Sequence, residues 1–72
     1  MELTDIANRF GYHRPKDDLT VAAHELVRKC LADVALVLNA ITPEGREKST
    51  AVTKLEEAMF WFNAAIARNQ NA

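Results

Sequence analysis

The sequence predicts an all-α fold, a short N-terminal helix followed by a long antiparallel helical hairpin. Three observations carry that expectation. The two glycines and two prolines fall in two clusters, Gly11 with Pro15 and Pro43 with Gly45. Outside those clusters, apolar residues recur every three or four positions, the spacing of one helix face. Thr42-Pro43-Glu44 carries the marks of a helix start, and it separates two long periodic stretches by only a few residues.

Leu3, Ile6, Ala7 and Phe10 fall at i, i+3, i+4 and i+7, which predicts a short amphipathic helix over 2–10. Gly11 admits a turn that other residues resist, and Pro15 biases Arg14 towards extended backbone. Residues 11–17 therefore read as a connecting loop. Asp17 to Thr20 are capping residues whose acids suit the positive end of a helix dipole, so a helix over 18–40 follows. Its apolar seam runs Val27, Cys30, Val34, Val37 and Ile41, widened by Leu31 and Leu38, and Cys30 reads as a small core residue. With Thr42 as N-cap and Pro43 at the first helical position, a second long helix is expected over 43–69. So short a connection folds the two helices back on each other. Asn69 to Ala72 read as a frayed end, and 1–72 as a single domain.

The second long helix carries two adjacent seams. One is Lys48, Val52, Leu55, Met59, Phe62 and Ile66; the other is Ala51, Leu55, Ala58, Phe62 and Ala65. From Ala58 to Ala67 only Asn63 is polar. A helix apolar most of the way round has more to bury than one neighbour can cover, and a domain this small is marginal alone. The expectation is a homo-oligomer of several subunits, with Trp61 buried between them.

Composition narrows the function. Of 72 residues, 49% are hydrophobic and 26% charged, and nine Lys plus Arg nearly balance ten Asp plus Glu. That balance argues against a basic DNA-binding arm and against an acidic tail, and the apolar share argues against disorder. No apolar run approaches ~18 residues, so neither a membrane span nor a signal peptide is expected. A single cysteine forms no internal disulfide and suits a reducing cytoplasm. One cysteine and two scattered histidines are too few for a zinc site, and no cofactor is expected. Glu56 and Glu57 point about 100° apart on a helix and do not form an acid/base pair. No phosphate-cradling glycine loop and no nucleophile beside a base is visible, so the chain reads as a non-enzyme.

Three segments occur in order along the chain. They are Arg9-Phe10-Gly11-Tyr12-His13-Arg14-Pro15, then His24-Glu25-Leu26-Val27-Arg28, then a long run from Arg46-Glu47-Lys48-Ser49-Thr50 through Phe60-Trp61-Phe62-Asn63 to Arg68. Over residues 9–68 this pattern resembles the helical-hairpin domain of phage nucleotide sponges, found in anti-CBASS and some anti-Thoeris proteins. The resemblance implies a phage protein in the cytoplasm of the infected bacterium. It would sequester cyclic di- and trinucleotide alarm signals without cleaving them, as a hexamer built from dimers with separate pockets for the two ligand classes. Phe62 departs from the pattern, standing where the family carries a small residue, and so bears on how the seams pack.

Six residues are candidates for binding, and each has a plainer reading beside it. A cyclic nucleotide needs planes for its purines and cations for its phosphates. Tyr12, in a loop, suits a stacking platform or else clamps the first helix to the hairpin. Arg28 and Lys29 suit phosphate, while Glu25 and Asp33 four residues either side of Lys29 suit ordinary ion pairs. The resemblance implies a phosphate-binding lysine in this helix, which points to Lys29. Arg68 complements the helix dipole on its own; by resemblance, three copies around a threefold axis would meet three phosphates. Arg46, with Lys48 and the hydroxyls of Ser49, Thr50 and Thr53, suits either an anion or a solvated face. His13 suits a base edge or a loop cap, and His24 a local helix contact. A second function class stays open beside the sponge, a small helical adaptor docking a protein partner through its apolar face.

Overall fold

The computed structural model describes residues 2–70 and contains, in order, α1 (Leu3–Phe10), α2 (Asp18–Ile41) and α3 (Arg46–Arg68). Among the described residues there is no strand, and α2 and α3 form the expected hairpin. Asn71 and Ala72, read from sequence as part of a frayed end, lie outside the described residues.

Each helix starts for a local reason. Asp17 Oδ1 accepts from the Thr20 backbone N–H and from the Thr20 hydroxyl, both at 2.8 Å, closing the first turn of α2. Thr20 is the one buried residue among those described. The Thr20 N–H, and after it the Thr20 hydroxyl, hold the Asp17 carboxyl below the ordinary carboxylate range.

At the hairpin turn the structure corrects the sequence. α3 begins at Arg46, not at residue 43, and Gly45 is its N-cap. Thr42 caps the end of α2 instead, with its hydroxyl donating to Leu38 O at 2.8 Å. Pro43 lies in the turn. The reason is Lys48. Its ammonium donates to Asn39 O at 2.9 Å and Thr42 O at 3.1 Å, and pairs with Glu44 at 2.7 Å. Only 10% of its side chain is exposed. A cation in the first turn of α3 is thus placed at the negative end of α2, where it satisfies carbonyls that no helical N–H reaches. Gly45 closes the turn at φ 158°, ψ 177°, a region essentially reserved for glycine. Gly11 is needed for space instead: its backbone is ordinary extended, but a Cβ there would stand 2.6 Å from Ala7 O.

The interface between α2 and α3 differs from the expected seams. On α2 the half-buried positions are Ala23, His24, Val27, Leu31 and Ala35, next to Thr20. Of the predicted α2 seam only Val27, with Leu31 beside it, lies there. Cys30 is exposed, not a core residue, and Val34, Val37 and Ile41 are 42%, 62% and 73% exposed. Leu55, Ala58, Met59, Asn63 and Ile66 face them from α3, while Phe62 stays exposed. His24 does not pair locally on its own helix. Its Nδ1–H donates to Asn63 Oδ1 across the hairpin at 2.9 Å, which accounts for the lone polar residue of the 58–67 run.

The result is a slab, 45 × 31 × 16 Å, with no buried hydrophobic residue among those described. Its radius of gyration is 15.4 Å, against about 11 Å for a compact chain of this length. Its accessible surface is 5984 Å², against about 4,500 Å² for a compact monomer of this mass.

Two predictions follow from these contacts. Lys48→Ala should destabilise the hairpin by about 1–3 kcal/mol, the scale of hydrogen bonds from a charged group; denaturant unfolding checks it, and an unchanged midpoint would contradict the clip. Asp17 is depressed in the folded state, so its stabilisation is present above the ordinary value of about 3.9 and is lost as pH falls through the lowered one. Asp17→Asn keeps a cap without the charge. It should therefore remove part of the acid-induced loss of helicity followed by circular dichroism.

Candidate functional site

The open end of the hairpin, where α2 begins and α3 ends, gathers the loop 11–17 against the last turn of α3. Between them lies a cleft of about 310 Å³ lined by Asn8, Tyr12, His13, Arg14, Lys16, Ala67, Arg68 and Gln70. Three of the six predicted binding residues, Tyr12, His13 and Arg68, come together here.

The loop is held by specific bonds. His13 Nε2–H donates to Asn8 O at 2.6 Å, so this ring caps the end of α1. Gln70 ties the loop to α3: its Oε1 accepts from the Lys16 backbone N–H at 2.7 Å, and its Nε2 donates to Ala67 O at 3.0 Å. The Lys16 ammonium donates to the Gln70 carbonyl at 2.5 Å. Asn69 Nδ2 donates to Ala65 O at 2.8 Å. Asn69 and Gln70 are therefore anchored, contrary to the frayed end expected from sequence.

The electrostatics of the cleft are one-sided. Arg14, Lys16 and Arg68 line it, and none of its lining residues is a carboxylate. Among the described residues the ion pairs are Lys29–Asp33, Lys48–Glu44 and Lys54–Glu57, so none of the three cleft cations enters one. After the Thr20 hydrogen bonds, the Lys16 charge helps hold the neighbouring Asp17 carboxyl below its ordinary range. Tyr12 is 87% exposed beside them, free to offer a ring face. An aromatic plane next to unpaired cations suits a stacked base and its phosphate.

The other three predicted residues lie elsewhere in the protomer. Lys29 is about 200° round α2 from Val27 on the hairpin contact, so it points away from α3. It pairs with Asp33 at 2.9 Å, and that contact raises its pKa, first through the hydrogen bond and then through the charge. Arg28 lines a small groove of about 190 Å³ between the helices, together with Leu31, Val52 and Glu56. Arg46 is at the opposite end of α3, about 33 Å from Arg68 along the helix axis. The Ser49, Thr50 and Thr53 hydroxyls near it donate to carbonyls four residues back, Gly45 O, Arg46 O and Ser49 O.

Sequence reading missed Asn8, Arg14, Lys16 and Gln70. The signal for two of them was present. In an extended segment alternate residues share a side, and Tyr12, Arg14 and Lys16 are two apart.

Fold and cleft together define a small helical-hairpin binding module. Residues 2–67 match the family model described as Acb2/Tad1, hairpin domain. The chain belongs to this family, the anti-CBASS and anti-Thoeris sponges, which bind signalling molecules and are not a catalytic family. No curated protein matches the chain, and no solved structure does. No helix among the described residues is long and apolar enough to cross a membrane.

Proposed function

We propose that the protein binds and sequesters cyclic oligonucleotide second messengers without cleaving them, acting for a phage in the cytoplasm of the infected bacterium. The observation that carries this reading is the cleft at the open end, where Tyr12 stands beside three cations that form no ion pair among the described residues. A sponge needs nothing more chemically: each bound molecule is withdrawn from the host's effectors in proportion to the sites present.

The cleft calls for a second copy of the chain. At about 310 Å³ and open to solvent it lies at the small end of ligand pockets, which cover most of what they hold. The protomer also exposes roughly 1,500 Å² more than a compact monomer would. That excess on one protomer is nearly twice the ~800 Å² that each partner contributes to a standard interface. The exposed aliphatic and aromatic residues Val34, Val37, Ile41, Phe60, Trp61 and Phe62 form its apolar part. In a homo-oligomer, Lys29 and Arg28 would reach Tyr12 only from a neighbouring copy, consistent with their place outside the cleft of their own protomer. A hexamer would bring Arg68 residues together around a threefold axis.

One observation favours the adaptor reading. A groove of about 460 Å³ runs beside the hairpin turn, walled by Leu38, Pro43, Ala51, Val52 and Leu55. It lies at the end remote from the cleft, so the two readings can be tested apart.

In light scattering the protein should run well above 8.1 kDa. Ala58 packs within the hairpin, so Ala65→Glu is the cleaner disruptor of assembly, placing a charge on an exposed apolar face; a monomeric parent would overturn the assembly. In calorimetric titration, Tyr12→Ala should lose about 1–3 kcal/mol per base platform on cyclic dinucleotides, roughly ten- to a hundredfold. Arg68→Ala should weaken cyclic trinucleotides. Ligand released by heat after hours with magnesium should be intact. Parent-like binding in both variants would place the site elsewhere, and failure of the parent to bind either class would favour the adaptor.

A further inference from the structure

We propose that Arg14 and Lys16 are phosphate-binding residues of the open-end cleft, so that its affinity depends on how many phosphates the ligand carries. The proposal rests on the sponge reading for the identity of the ligand, but its own basis is the geometry of the loop.

Residues 12–16 are neither helix nor turn, and Pro15 holds Arg14 extended. Exposure alternates along them. His13 and Pro15 are half-buried against the protein, while Tyr12, Arg14 and Lys16 are exposed. One edge of the loop therefore presents an aromatic ring, a guanidinium and an ammonium in succession, at Cα spacings of about 6–7 Å for alternate extended residues. Cations so spaced can take separate phosphates, and Arg68 faces them from α3.

Neither cation enters an ion pair among the described residues, although the Lys16 charge is felt by the neighbouring Asp17. Lys16 donates one hydrogen bond to a neutral carbonyl, that of Gln70, and keeps two further N–H donors. Arg14 enters none of the ion pairs among the described residues. The contrast is with Lys48, whose charge is used up by two carbonyls and a carboxylate at the hairpin turn. The Gln70 bridge fixes the loop end at Lys16 before any ligand arrives, so that cation is ordered at little further cost in freedom.

The test is calorimetric titration of the full chain with a cyclic dinucleotide, a cyclic trinucleotide and inorganic tripolyphosphate, each over a range of salt. The variants are Arg14→Gln and Lys16→Gln, with Lys16→Arg to restore the charge. Glutamine keeps a donor for the Gln70 carbonyl, so Lys16→Gln removes charge while sparing the tether, and light scattering confirms the assembly. Each neutral variant should weaken the trinucleotide about tenfold, the scale of one charge-assisted hydrogen bond. Each should also flatten the salt dependence, and Lys16→Arg should recover both. If the parent binds cyclic nucleotides and the neutral variants match it at every salt, the inference fails while the sponge reading stands. If the parent binds no cyclic nucleotide, the sponge reading fails. Tripolyphosphate then decides the inference: binding that weakens in Lys16→Gln supports an anion site, and no binding overturns it.

Discussion

Two helices laid side by side cannot enclose a core, and most of this protein follows from that constraint. Each helix covers one stripe of the other and leaves the rest of its apolar surface in water. Among the described residues no hydrophobic side chain is buried, and aromatic residues such as Trp61 are two-thirds exposed. The conformational entropy of ordering the chain must then be offset in large part by capping and cross-hairpin bonds.

The capping bonds accordingly fall at the two ends of the hairpin, where unpaired backbone groups concentrate. At the turn, Lys48 gathers two carbonyls of the α2 terminus. At the open end, Asp17 and Thr20 close the start of α2, and Gln70 fastens the loop to the end of α3. About two turns in from the open end, the His24 ring N–H donates to Asn63 Oδ1 and fixes the register of one helix on the other. These polar contacts set the geometry that an enclosed core would set in a larger domain.

The same division governs function. The turn end uses Lys48 internally, and the groove beside it carries Glu44 and Glu47 on its rim. The open end leaves Arg14, Lys16 and Arg68 outside the ion pairs formed among the described residues, beside an exposed ring. A chain of net charge −1 thus presents a local positive cleft, because no carboxylate is among the residues that line it. That separation of charge, more than net charge, makes the open end suited to an anion.

Helix type, order and approximate length were legible in the sequence, because 3.6-residue periodicity and two Gly/Pro clusters are local signals. So was Tyr12 as a candidate, since an aromatic in a glycine-containing loop stands apart from any packing seam. On α3 the inward face was largely legible, since Leu55, Met59 and Ile66 of the first seam lie on it, but on α2 it was not. α2 offers apolar residues on two stripes, and periodicity does not say which meets α3 and which stays exposed; Cys30 and Val37 fell on the second. Nor was the start of α3 legible. Thr42 and Pro43 are good helix-start residues, but the Lys48 ammonium reaches across the turn and assigns them to the end of α2 and the connection. The meeting of Tyr12, Arg14 and Lys16 with Arg68 joins positions more than fifty residues apart. Sequence supplied each of those charges and rings, and only the folding back of α3, with Gln70 closing the loop upon it, made them one site.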